Sequence, residues 1–403
     1  MTGEAKDSWA YDTVTRRWPD IVARIQEEND LNAETVRALR ASADEIPETP
    51  IRDIEDDGAP DVLDWKEYVR PYVGMRWLEP PWFFMEHYFY RRIMGAIGYF
   101  RNRNGSGPDP FVHQKREGLR VARDRIVSFV SLTQEWMRLP VSEQILAQLI
   151  DFDLWGNQAD LSLWPAEDGH KPDHATVESA AAFVLANDST RAVRHILNVR
   201  GGDAKVDILV DNAGFELVGD LVVADYLLST QTVGAVCLHL KPHPTFVSDA
   251  MIKDVYETLD FLQNDTSVAV RDFAQRLREQ EIANRLRLND DYFWTSPLPA
   301  WKMPGVLRET LGRSDLVISK GDAHYRRLLG DLDWRSTVSF EDVLSYYPAP
   351  LLALRTLKSE LCCGLKEGQD RAVAEKDPDW LTNGRWGLIQ FRGQTEIDNC
   401  EES

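Results

Sequence analysis

The chain has 403 residues, 43% of them hydrophobic and thirteen of them tryptophan, and a formal charge of −20 at pH 7. That acidity argues against a nucleic-acid partner, because neutralising phosphates takes clustered Lys and Arg. No apolar run approaches the ~20 residues of a membrane span, and the polar N-terminus has no leader-like apolar core. The cysteines, Cys237, Cys362, Cys363 and Cys400, lack C-x-x-C spacing. They predict reduced thiols in a cytoplasmic protein, with neither a zinc motif nor a disulfide framework. The length suits one large domain and a smaller one.

Residues 1–200 read as helical. Ile21, Val22, Ile25, Leu31, Val36 and Leu39 recur at helical spacing, and Phe83 to Arg91 continues in that manner. Phe111 to Met137 reads as one long charged helix, followed by helices over 142–152, 176–187 and 189–198, the last with Asp188 near its N-cap. No strand is expected before position 200, and Arg200-Gly-Gly-Asp203 reads as a linker. Beyond it, predicted strands at 206–210, 233–240, 291–295, 315–319, 351–354 and 386–391 alternate with predicted helices at 215–229, 249–264, 267–286, 304–312 and 321–329. That alternation implies crossover units and a mostly parallel sheet. The expected architecture is a helical domain over 1–200 packed on a three-layer α/β/α domain over 201–403, with a pocket at their junction.

The chemistry gathers at predicted strand ends. Val206 to Val210 is an apolar run that delivers Asp211 and Asn212, followed by Gly214 and Glu216. Open α/β sheets bind ligands at such ends. The bland alternative makes Asp211 or Asn212 a helix cap, and weighs about equally on these residues alone. The next strand ends in Lys241-Pro-His-Pro, and Asp249 heads the following helix, where it too could serve only as a cap. If the two strands are parallel neighbours, Asp211, Asn212 and Asp249 share one edge and suit Mg²⁺ or Mn²⁺. His239 and His243 read as packing residues outside that sphere. Lys320-Gly321-Asp322 opens another helix after an apolar strand, offering a point charge and free N–H groups to an anion, although a solvated basic helix start is the commoner role of a single Lys. Arg355 and Lys358 follow a buried segment and add a planar fork and a flexible cation, although such pairs are also common on ordinary surfaces. In the helical half, Asn157 and Asp160 sit on a turn, and Glu86 lies in an apolar helix. The local sequence favours an ion pair from Glu86 to Arg91 or Arg92.

Taken together these segments resemble the damage-control phosphatase family, also called acidic residue methyltransferase-like, in its sugar-phosphate phosphatase branch with an R-T-x-K motif. That motif here is Arg355-Thr-Leu-Lys358. Pro81-Trp82 to Arg92, Trp155-Gly-Asn157 with Asp160-Leu-Ser162, Asp211 to Leu217, Lys241-Pro242 with Asp249, and Lys320-Gly-Asp322 match as well. The resemblance implies a Rossmann-like α/β/α core and a metal-dependent phosphatase of small phosphometabolites, including fructose 1-phosphate and fructose 6-phosphate. It implies that Asp211, Asn212 and Asp249 hold Mn²⁺, Co²⁺, Ni²⁺ or Mg²⁺, and that Asp322, His324, Tyr325, Arg326 and Lys358 meet substrate. Glu86, Glu216 and Asp249 match positions assigned to S-adenosylmethionine in a relative described as a protein-glutamate methyltransferase. The chain departs from the family's Lys-Gly-Asp-Leu-Asn-Tyr-Arg at Ala323-His324, which bears on sugar preference.

The expected reaction is hydrolysis of a phosphomonoester. Asp211, Asn212 and Asp249 hold the metal, Lys320 and Lys358 balance charge on the phosphoryl oxygens, and Asn157, Asp160 and Glu86 take sugar hydroxyls. An aspartyl-phosphate through Asp211 ranks lower, since D-x-D-x-T is lacking. Methyl transfer is disfavoured because no glycine-rich turn follows the first predicted strand. A non-catalytic metabolite-binding protein is the third reading. The sequence leaves the oligomeric state open.

Overall fold

The computed structural model describes residues 1–101, 107–156 and 182–393. Seven strands form one sheet: β1 Val184–Asn187, β2 Gly201–Leu209, β3 Val233–Leu240, β4 Leu286–Asp290, β5 Leu316–Lys320, β6 Leu351–Thr356 and β7 Gly387–Arg392. Their order is β1-β7-β6-β5-β2-β3-β4. Strands β2 to β6 run parallel, β7 is antiparallel to β6, and β1 is parallel to β7. The chain winds from β2 outward to β4, then returns to the other side of β2 with β5 and winds away again. The β2–β5 border is therefore the switch point, where the connections leave in opposite directions and open a crevice at the C-terminal strand ends.

Helices cover both faces, because alternate strand residues point to opposite sides. Val206, Ile208 and Val210 pack with helices Arg123–Trp136, Glu143–Trp155, Phe215–Ser229 and Val268–Ile282. Leu209, Val317 and Leu351 pack on the opposite side with helices Gly305–Leu311 and Gly321–Leu329. A third apolar cluster lies among the N-terminal helices, around Trp18, Trp65, Trp77 and Tyr88. Helix Phe215–Ser229 is buried from Glu216 to Leu228, so it lacks the one-sided pattern of a surface helix.

Four expectations need correction. Residues 184–187 form β1, although 176–187 reads as a helix; 176–181 lie outside the described residues. Residues 292–295 form a 3-10 turn, and the strand is displaced upstream to β4. Gly201 to Asp203 belong to β2, with Gly201 in register with Val233, so they are not a linker. The segment from Phe111 to Met137 breaks at Ala122 into helices Val112–Val121 and Arg123–Trp136. Helices Phe215–Ser229 and Gly321–Leu329 have the bounds the sequence predicts.

Candidate active site

A cavity of about 380 Å³ opens at the switch point. Asp211 and Asn212 enter it from the end of β2, Phe246, Ser248 and Asp249 from the loop after β3, Asp322 and Arg326 from helix Gly321–Leu329, and Lys358 from beyond β6. Trp82 and Glu86 close it from helix Trp82–Ala96, and Trp9 and Arg17 from the N-terminal segment. The loop after β3 reaches the site through left-handed backbone at Phe246 (φ 46°) and Val247 (φ 66°). Such a conformation is strained for a β-branched residue and marks functional loops.

The two acid-bearing loops meet as the strand register predicts. Asn212 and Asp249 form an isolated antiparallel bridge, Ala250 N–H donates to Asp211 O at 2.8 Å, and Ala213 N–H donates to Ser248 O at 2.7 Å. The capping alternative fails for both acids. Gly214 holds the N-cap position before Phe215, and Met251 holds it before Ile252, where Asp254 accepts from Met251 N–H. Burial drives Asp211 well above the usual carboxylate range, and Asp249 and Glu216 add repulsion. Asp249 is likewise raised by burial, against the pull of Lys241. Its Oδ2 lies 3.1 Å from Lys241 Nζ but receives no well-directed hydrogen bond.

Asn212 turns its amide nitrogen to Asp211 Oδ2 (2.9 Å) and Glu216 Oε2 (2.8 Å), and its oxygen accepts from Ser248 Oγ (2.5 Å). Its oxygen therefore becomes a third donor to a cation beside Asp211 only after an amide flip, which exchanges the two atoms.

Of the expected substrate residues, Glu86, Asp322, Arg326 and Lys358 line this cavity. Glu86 pairs with Arg326 across the fold rather than with its helical neighbours. Arg91 is taken by Asp57 and Asp61, and Arg92 by Glu45. Arg326 also donates to Asp331 Oδ1 at 2.8 Å and lies 4.1 Å from the Trp82 ring centre. Burial would raise Asp322, but Arg355 and Arg326 outweigh it and hold that carboxyl below its ordinary value.

Five expected site residues point elsewhere. Lys320 leaves β5 on the opposite face, where its Nζ donates to Asp153 Oδ1 at 2.5 Å and Asp220 Oδ1 at 3.1 Å. Arg355 is fully buried and spends its donors on Asp322, Ser359 and the Leu361 carbonyl. Tyr325 donates to Gln390 Oε1 at 2.7 Å under the sheet. His324 meets Lys241 Nζ at 2.9 Å through Nε2, so the Ala323-His324 departure presents Ala323 to the cavity and not the imidazole. Glu216 faces a neighbouring cavity of about 560 Å³ beyond Asn212 and Ser248. Asn157 and Asp160 lie outside the described residues.

Several contributors escape the sequence reading. Lys241, which the sequence marks as part of a matching segment but without a role, balances Asp249 from just beyond the end of β3. Asp153 and Asp220, which hold Lys320, read as ordinary helical acids. Among the described residues, Asp207, Cys237 and His239 form a group that could hold a metal, with potential ligand atoms all within 4.8 Å of one another. In this structure those groups satisfy each other: His239 Nε2 donates to Asp207 Oδ1 at 2.6 Å, and Ser314 Oγ donates to Asp207 Oδ2.

Fold and site together define an α/β/α enzyme that gathers carboxylates and cations at a switch-point crevice. The model of the damage-control phosphatase ARMT1-like domain matches residues 13–373. Proteins named Damage-control phosphatase ARMT1 match from Danio rerio (30% identical, 97% of this chain and 96% of the relative) and Mus musculus (32%, 98% of each). The same-named protein from Rattus norvegicus is 35% identical over 79% of this chain and 75% of its own. A DUF89 family protein of known structure from Pyrococcus horikoshii shares the fold, with TM-score 0.50 and 13% identity over 98% of this chain and all of that one. The chain belongs to the damage-control phosphatase ARMT1-like family, a family of metal-dependent phosphoric monoester hydrolases. Among the described residues, no helix is long and apolar enough to cross a membrane.

Proposed function

We propose that the chain hydrolyses phosphomonoesters of small metabolites, sugar phosphates such as fructose 1-phosphate or fructose 6-phosphate among them, with a divalent cation held by Asp211 and Asp249. The carrying observation is the pair of buried carboxylates converging from two loops, one with an oxygen that no hydrogen bond satisfies. Buried anions that repel each other need a compensating charge, and hard oxygen donors suit Mn²⁺, Co²⁺, Ni²⁺ or Mg²⁺. Asn212 joins them if its amide flips. When bound, a divalent cation supplies positive charge against phosphoryl oxygens and acidifies water.

The chain's own residues do the rest. Lys358 lines the same cavity, forms no ion pair among the described residues, and acts on Asp211 electrostatically. In this reading it meets the phosphoryl group. Glu86, Asp322 and Arg326, each held in an ion pair, take the hydroxyls of the sugar. Arg355 and Lys320 are positioning residues: one fixes Asp322, the other anchors the end of β5. Residues 1–200 then supply Trp9, Arg17, Trp82 and Glu86 to the pocket, and 201–403 the metal residues and Lys358.

Phosphate release from a panel of sugar phosphates, with each cation and with EDTA, tests the reading. Metal-dependent release that EDTA stops is expected. Methyl transfer from labelled S-adenosylmethionine without phosphate release favours the rival activity. Binding without either reaction favours a metabolite-binding protein.

A further inference from the structure

The cavity carries another cation with no role so far. Arg17 closes the π-helical segment Thr13–Arg17, a wide turn of a kind that recurs at functional sites. Its guanidinium lies 4.7 Å from the centre of the Trp9 ring, and both residues line the cavity with Asp211, Asp249 and Lys358. Asp12, the nearby acid, is occupied by Arg16 through two hydrogen bonds. No ion pair to Arg17 forms among the described residues. An aromatic face orients a guanidinium without neutralising it.

The segment that carries Arg17 is tied down on both sides of the cavity. Gly3 N–H donates to Leu78 O at 3.0 Å, and Trp82 N–H donates to Met1 O at 2.9 Å. On the other side Trp9 N–H reaches Glu360 Oε1 at 3.4 Å, two residues beyond Lys358. The N-terminal segment thus bridges the start of helix Trp82–Ala96 and the loop after β6.

We propose that Arg17, held over the Trp9 ring, is a substrate-binding residue that grips the phosphoryl group together with Lys358. The proposal rests on the phosphomonoesterase reading above. A phosphomonoester brings about two negative charges at pH 7. Lys358 offers one point charge, whereas the planar guanidinium offers a paired contact to two phosphoryl oxygens. Because Arg17 meets the group that all phosphomonoesters share, its contribution is independent of the leaving group.

The test uses the full chain loaded with Mn²⁺, in wild-type form and as Arg17→Gln, Arg17→Lys and Trp9→Leu. KM is measured for p-nitrophenyl phosphate and fructose 1-phosphate, with inorganic phosphate as a competitive inhibitor. In Arg17→Gln, both KM values and the inhibition constant rise about tenfold or more, while kcat changes less and the melting temperature holds. Arg17→Lys recovers part of the loss. Trp9→Leu, which frees the guanidinium without removing it, shifts all three constants the same way by a smaller factor. Unchanged constants in an active Arg17→Gln enzyme overturn the proposal alone, as does a rise confined to the sugar phosphate. A wild-type protein that neither releases nor binds phosphate overturns the phosphatase reading and this proposal with it.

Discussion

Gly321 and Asp211 face each other across the β2–β5 border so closely that a side chain at 321 has no room. A Cβ there would lie 1.9 Å from Asp211 Oδ2 and 2.4 Å from its Cγ, and the backbone is left-handed at φ +78°. Gly321→Ala therefore incurs backbone strain and pushes the carboxylate out of place. A stability loss of about 2–4 kcal/mol is expected, with at least a tenfold weaker Mn²⁺ affinity by calorimetry. Wild-type metal affinity in Gly321→Ala would show that Asp211 does not hold the cation.

Asp211→Asn separates stability from function. The change removes a buried carboxyl whose charged form burial disfavours most, with Asp249 and Glu216 adding repulsion. Without metal, the variant should be more stable than wild type by ~1–2 kcal/mol, read from denaturant midpoints at equal m-value. Its metal-dependent phosphate release should fall by ~10² or more. A less stable, active variant contradicts both halves.

Lys320→Met tests the face on which Lys320 lies. Burial alone would depress its ammonium, but Asp153 and Asp220 outweigh that and raise it. Removing it leaves two buried carboxyls without their cation, at a cost of about 3–5 kcal/mol. Turnover per folded molecule, assayed well below the melting temperature, should stay within about tenfold of wild type. Full stability with lost turnover would return Lys320 to the phosphate.

His243 makes stability pH-dependent. Burial, the largest cause, and Arg91 push its imidazole down to about 4, against the opposing pull of Asp61. A folded-state value below the unfolded 6.5 means that the folded form binds fewer protons there. Its stabilising effect is present above pH 6.5 and is lost as pH falls through 4, on the order of 3 kcal/mol in all. In His243→Gln the stability loss between pH 6.5 and 4 should shrink by that order. Parallel curves for the two proteins would contradict the assignment.

How much was legible in the sequence depended on which side a residue leaves its strand. Val206 to Val210 announces a buried strand, and two polar residues at its end have only the crevice to enter, so Asp211 was readable. Lys320 sits at a similar strand end, but a shift of one residue reverses the face, and no local pattern reveals that. The β1 edge strand is four residues long and too short for a periodic signal. Tyr292 to Thr295 has the aromatic content of a strand, yet Asp291 turns its carboxylate onto Phe293 N–H and starts a 3-10 turn instead. Arg17 carried no signal at all, because its site is assembled from parts of the chain hundreds of residues apart.

The most direct test of the central claim is a Mn²⁺ titration of EDTA-stripped protein, following bound metal and phosphate release from fructose 1-phosphate, beside Asp249→Asn. The account predicts that release rises with the first metal bound per chain, and that Asp249→Asn binds it at least ~10-fold more weakly and stays near background. Full release in EDTA, or an active Asp249→Asn enzyme whose metal depends on Cys237 and His239, would contradict it.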